Sequence, residues 1–359
     1  MDLRVHHSSR LNFLRGIAVL LVVSVHSSQI IGNGDQTSEW VIPISKNFMD
    51  FGARGVQIFF ILSAFGLAKS YEVHSAKPIR SYYTRRLFRI YPVWIAAVLI
   101  HALIENKTQV IFQNVTFAFG WLRGSQNNPE VVGGSWTLFV EVIFYLLFPL
   151  IFPIARHTKT LFILIILLIT LRIVWLKSAE EIFGIVDRNS FVGLHPFSNF
   201  YCFALGLLIY NQMKAFRGNK VTYTPVIILL LAISIILEMD QILQVLLVGL
   251  LIYSFLEKTQ IRSDSFFTPA GKLIEYFGKY AFTIYLYHLV ILKEGSSFLI
   301  KATEKVPYVE LKFLVSMPII LLLLFILGHL GYEYLEKPSI RVGKAFSSKF
   351  LKPKGLSHA

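Results

Sequence analysis

An arginine and a histidine stand eleven residues apart inside one apolar stretch, Arg15 and His26 within Leu11–Ile31. Ionisable groups in a lipid-like span are costly and are functional-site candidates by default. On a helix their spacing is about 16 Å. One helix thus carries a fixed cation near one face of the bilayer and a titratable base toward the other. If the span enters near Asn12, His26 lies about 20 Å in. A second apolar stretch, GGSWTLFVEVIFYLLFP, enters from the opposite face near Gly134 and carries Glu141 about 10 Å deep. Base and carboxylate therefore share a depth. A carboxylate beside a neutral imidazole fixes its tautomer and raises its basicity, the support a general base needs. The plainer alternative is two separate polar plugs, each facing a helix neighbour.

Three further groups could do chemistry. The segment from Lys69 to Pro92 holds six cations, among them Arg80, Arg85, Arg86 and Arg89, and one acid, Glu72. The spacing of Arg85, Arg86 and Arg89 puts at least two guanidiniums on one helix face. Arginine suits bidentate contact with phosphate, so this loop reads either as a site for a phosphorylated cofactor or as topology plus lipid headgroups. The stretch GARGVQIFFILSAFGLAKS contains Ser63 among glycines. It either packs closely against neighbours or lines a cavity with Ser63 and freed backbone. Arg54, at its outer end, either holds an acceptor or snorkels to the interface. His288, in GKYAFTIYLYHL, sits near the midplane, as a functional or a satisfied structural histidine. There is no HExxH, no phosphate loop of the Walker type and no GxGxxG, and no metal is expected.

The elements that position these groups follow from composition. The chain has 359 residues, 55% hydrophobic and 16% charged, with mean hydropathy +0.59. Soluble domains carry about 25% charged residues. Apolar runs recur to the end, predicting an all-α integral membrane protein of about ten transmembrane helices. The runs are 12–31, 53–70, 88–105, 135–155, 160–176, 196–212, 223–238, 240–256, 278–293 and 313–332, with a tight turn at Glu238-Met-Asp240. With the N-terminus inside, most of the 35 Lys and Arg fall on the cytoplasmic side, so both termini are expected there. The net charge of +14 is then mostly topology, and no nucleic-acid partner is expected. The single cysteine, Cys202, excludes an intramolecular disulfide and reads as packing. Arg172 lies in the outer half of the fifth run, where it is expected to snorkel. Residues 1–339 form the membrane domain, and 340–359 a short basic cytoplasmic tail suited to an anionic leaflet.

Five motifs in order complete the reading. They are Arg15 and His26 with ten residues between; Gly52, Gly55-Val56, Phe59-Phe60, Ser63 and Phe65; Arg85-Arg86, Arg89-Ile90 and Pro92; Trp136, Leu138, Glu141, Phe144-Tyr145-Leu146 and Pro149; and Tyr285-Leu286 with His288. With these the chain resembles the acyltransferase 3 family of integral membrane acyltransferases over nearly its full length. Ala64 stands where the family pattern has glycine. The resemblance implies transfer of an acyl group, usually acetyl, from acyl-CoA to a hydroxyl of a carbohydrate, typically O-antigen, capsule, exopolysaccharide or another glycan. It implies a multi-pass protein of a bacterial inner membrane. Acetyl-CoA would dock its phosphates on Arg80, Arg85, Arg86 and Arg89, with Arg15 guiding its arm. His26, oriented by Glu141, would act as base, or would carry the acyl group itself. Ser63 or a nearby N–H would stabilise the oxyanion. His288, Arg54, Trp136 and Tyr145 would contact substrate or hold the site. With no esterase-like domain expected, transfer would finish within the membrane. The rival reading is a transporter or flippase built on the same buried His, Glu and Arg.

Overall fold

A computed structural model describes residues 3–33, 43–73, 79–122, 129–183, 192–215, 224–259 and 268–350. Among the described residues the secondary structure is helical, without strands. The N-terminal half runs through α1 (Leu3–Asn33), α2 (Pro43–Phe51), α3 (Gly55–Val73), α4 (Ile79–Ile104), the short α5 (Ile111–Val115) and α6 (Phe119–Leu122), and α7 (Trp136–Ile154). There follow α8 (Thr158–Phe183), α9 (Pro196–Ala215), α10 (Thr224–Ile236), α11 (Gln241–Thr259), α12 (Pro269–Lys279), α13 (Ala281–Ala302), α14 (Val309–Gly331) and α15 (Lys337–Phe350). By length and composition, six helical stretches among the described residues can cross a membrane: those of α1, α2–α3, α4, α7, α8 and α14–α15. Helices α10 and α11 are apolar but shorter. The chain is thus an all-helical, multi-pass membrane protein.

Local chemistry sets several boundaries. Glu130 accepts from Ser135 Oγ at 3.1 Å and from the Trp136 N–H at 3.2 Å, placing an anion at the start of α7. Thr268 caps α12 through the Gly271 N–H at 3.2 Å, with Pro269 in the first turn. The tight turn between α10 and α11 forms as expected, with Glu238 at φ 48°. Two expectations change. The ninth run is two helices broken at Tyr280, because its polar Gly278-Lys279 end belongs to α12. Residues 340–350 are not a free tail: they continue α15, which packs on α4 through Phe346 against Phe88 and a Ser81–Ser347 hydroxyl pair at 2.5 Å. The rest of the expected tail, 351–359, lies outside the described residues, as does Lys77 of the basic loop.

Helix α1 is the hub, packed on α12, α3, α13 and α14. Its closeness to α12 depends on two glycines. A Cβ on Gly278 would fall inside the Asn12 carbonyl, and one on Gly16 inside the Ile274 carbonyl. Small residues let helix backbones meet in lipid. Gly278→Val is therefore expected to destabilise by at least the about 1–3 kcal/mol of an overpacked core. Gly249→Ala, with open space around it, should leave the melting temperature in detergent nearly unchanged. Equal melting temperatures for both variants would count against the close α1–α12 contact.

Candidate active site

One cavity of about 950 Å³ runs through the helix bundle. At its basic end stand Arg85, Arg86 and Arg89 of α4 and Lys344 of α15. Arg15 of α1 and Glu336, just before α15, also line the cavity, with Arg15 in electrostatic reach of Arg89 on one side and of Glu141 on the other. Ser63 of α3 and Glu141 and Tyr145 of α7 follow, and Val56, Thr137 and Tyr285 line the cavity toward its far end. Both hydroxyls of Ser63 and Tyr145 donate to the Glu141 carboxylate, and the two hydroxyl oxygens are 2.7 Å apart. Glu141 and Tyr145 are one helical turn apart, so α7 presents both to α3. The Arg86 guanidinium lies 5.6 Å over the Tyr145 ring. Arg15 donates weakly to Asn12 Oδ1 at 3.5 Å and is within electrostatic reach of Glu141 and Glu336. Gly66 faces the Arg15 guanidinium, and a Cβ there would lie 3.5 Å from it. Two carboxylates thus share the cavity with six cations, Arg15, Arg85, Arg86, Arg89, Lys279 and Lys344.

His26 does not line this cavity. Its ring meets that of His288, with centroids 5.3 Å apart. His26 Nδ1 lies 3.2 Å from Gln29 Oε1, and His288 Nδ1 lies 2.7 Å from the Tyr285 carbonyl. Those oxygens only accept, so each Nδ1 carries the proton and each Nε2 is left as the basic nitrogen. His288 is fully buried and its Nε2 has no partner. The Tyr285 ring lines the cavity and stands 5.4 Å from the His288 ring. The Tyr285 hydroxyl is pinned by donating to the Gly134 carbonyl at 3.0 Å, at a turn where φ is +76° and glycine is required. Tyr285 thus links the cavity wall to the histidine pair.

The structure brings together Arg15, Ser63, Glu141, Tyr145, Arg85, Arg86 and Arg89, and it pairs His26 with His288. It does not pair His26 with Glu141. Depth along a helix leaves the facing direction open; α7 turns Glu141 to Ser63, while α1 turns His26 to α13. Arg80 is exposed and off the cavity, five residues before Arg85 and on another face of α4. Arg54 does not line the cavity; its Nε donates to Gln244 Oε1 at 3.0 Å. Trp136 packs edge-on against Phe60 and lies outside the cavity lining. Arg172 does not snorkel either. It is buried and donates to the Ser198 carbonyl at 2.7 Å and to Gln241 at 3.1 Å. Sequence reasoning missed Glu336, Lys344 and Lys279 as cavity residues; the one available signal was an acid, Glu336, beside a cluster of bases near the end of the last apolar run. Among the described residues no group of His, Cys, Asp or Glu could hold a metal ion.

Comparison with known proteins places the chain in a family. The chain is 27% identical over 242 residues to Nodulation protein 10 of Rhizobium leguminosarum bv. viciae, across 59% of this chain and 63% of that protein. It is 28% identical over 171 residues to Acyltransferase MdmB of Streptomyces mycarofaciens, across 44% of this chain and 42% of that protein. The chain thus spans less than two thirds of the length of either curated relative. No solved structure matches it. The profile of the acyltransferase 3 family, described as an acyltransferase domain, matches residues 8–332. The chain therefore belongs to the acyltransferase 3 family.

Proposed function

We propose that this protein is a membrane O-acyltransferase of the bacterial inner membrane. It moves an acetyl group from cytoplasmic acetyl-CoA to a hydroxyl of a cell-surface glycan or glycolipid such as O-antigen, capsule or exopolysaccharide. The chain crosses ten times with both termini cytoplasmic, so the basic end of the cavity faces the donor. The observation that carries the reading is the cavity itself. It joins a cation cluster suited to phosphates to the Ser63–Glu141–Tyr145 group, and its wall at Tyr285 touches the His288–His26 pair. Arg85, Arg86, Arg89 and Lys344 hold the nucleotide phosphates, and Arg15 neutralises the arm entering the span.

In the transfer, the acceptor hydroxyl enters past Tyr285 from the side of the histidine pair, and His26 Nε2 takes its proton. The hydroxyl oxygen attacks the thioester carbonyl carbon, and a C–O bond forms. The C–S bond breaks, sulfur leaves with the bonding pair, and it takes the proton held by His26. One ester and one thiol result, and the imidazole returns to its neutral form. Ser63 Oγ–H, turning from Glu141, is a donor for the oxyanion.

The test uses inside-out membrane vesicles with and without this chain, given acetyl-CoA labelled in the acetyl group. Label is expected in the polysaccharide or glycolipid fraction only when the chain is present. Absence of label with several acyl-CoAs and host glycans, together with glycolipid movement driven by a proton gradient, would establish the transporter reading instead.

A further inference from the structure

Glu336 is the cavity's unused acid. It is 4% exposed, and its Oε2 is buried with no hydrogen-bond partner. Glu141, by contrast, accepts from two hydroxyls. A buried acceptor left unmet costs free energy, about 1–3 kcal/mol and more for a charged group, so a carboxylate that lines a cavity with one oxygen unpaired gains by turning that oxygen to a ligand's donor. Glu336 is placed there by a π-helical turn, Tyr332–Glu336, between α14 and α15. Single π-turns inside α-helices occur frequently at functional sites. Glu333, three residues earlier, is instead drawn to Lys337 and to Lys279, the latter at 3.6 Å. Both Glu336 and Lys344 lie beyond the residues matched by the family profile, which end at 332.

Position along the cavity identifies the ligand group. Lys344 follows Glu336 by eight residues on a continuous helical stretch, about 12 Å nearer the basic end. Glu336 is within electrostatic reach of Arg89 and Arg15, and Arg89 lies one turn deeper than Arg85. Glu336 therefore sits between the cations at the rim and the Ser63–Glu141–Tyr145 group. A second anion would be repelled there, and a neutral N–H donor is what a carboxylate at that depth can take. If phosphates dock at the rim and a thioester reaches the deep group, the amide-bearing arm between them passes Glu336. This step rests on the acyl-CoA reading above.

We infer that Glu336 is a donor-binding residue, its carboxylate accepting a hydrogen bond from an amide N–H in the pantetheine arm of the acyl donor. The test is a binding measurement on the purified full chain in lipid nanodiscs. The probes are CoA, 4′-phosphopantetheine, which has the amides without the nucleotide, and 3′,5′-ADP, which has the nucleotide without the amides. Glu336→Ala is expected to weaken CoA and phosphopantetheine alike by about tenfold, the loss of a hydrogen bond to a charged group, and to leave 3′,5′-ADP unweakened. Glu336→Gln keeps an acceptor and should lose less. Unchanged CoA binding in both variants, or an equal loss for 3′,5′-ADP, would overturn the inference, the latter showing that Glu336 only arranges the arginines. If the folded wild-type chain binds neither CoA nor phosphopantetheine, the acyl-CoA reading itself fails and this inference falls with it.

Discussion

His26→Ala should cut acyl transfer by about 10²–10⁴-fold, the usual contribution of a positioned general base, while the protein stays folded. The structure gives this expectation a specific form. Gln29 holds the proton on His26 Nδ1, which leaves Nε2 as the nitrogen that takes a proton from the acceptor. The His288 ring backs His26, and its own Nδ1 proton is committed to the Tyr285 carbonyl. His26→Gln keeps polarity and approximate size but offers no base, so it should lose as much as alanine. Gln29→Ala removes only the tautomer lock and should lose far less. The readout is transfer of labelled acetyl to glycan in vesicles, with the melting temperature in detergent as the fold control. Transfer near the wild-type rate in His26→Ala would remove His26 from the chemistry and shift attention to the hydroxyls of the cavity.

How much of this was legible in the sequence depended on what each pattern encodes. Apolar periodicity reports helix, so among the described residues the ten expected stretches are mostly helical, though the ninth is split between α12 and α13. Motif spacing within one helix also held: Arg85, Arg86 and Arg89 face the cavity together, and Tyr145 joins Glu141 across one turn. Relations between helices were not legible. Depth placed His26 and Glu141 at one level, but the rotation of each helix about its own axis is set by packing, and the close α1–α12 contact at Gly16 and Gly278 turns His26 to α13. The partners of two arginines were hidden for the same reason. Arg54 and Arg172 meet Gln244 and Gln241 from α11, partners that no local pattern announces. Glu336 was invisible because a π-turn breaks the 3.6-residue period by which its facing direction would be read.

The second large effect belongs to Glu141, and it follows from what the carboxylate holds together. It accepts from Ser63 and Tyr145 and is the acid nearest the deep end of a cavity that also contains Arg15 and Arg86. Removing one member of a buried charged group leaves the others uncompensated, at a cost of about 3–5 kcal/mol. Glu141→Ala is therefore expected to lower the melting temperature, and, with Ser63 and Tyr145 no longer held in place for the oxyanion, to lose transfer by about 10²–10³-fold. Glu141→Gln separates the two roles. Its amide oxygen can still accept from a hydroxyl, so the Ser63–Tyr145 geometry and most of the stability should survive. The negative charge facing Arg15 and Arg86 is gone, so transfer should remain well below wild type. Tyr145→Phe leaves Ser63 on the carboxylate and should cost less than either, about tenfold or below, as for one net hydrogen bond. Rates and melting temperatures measured on the three variants would then rank differently: activity as Ala below Gln below Phe, stability with Gln close to wild type. If Gln instead matched wild type in both, the charge of Glu141 would have no part in catalysis, and its work would be confined to orienting two hydroxyls.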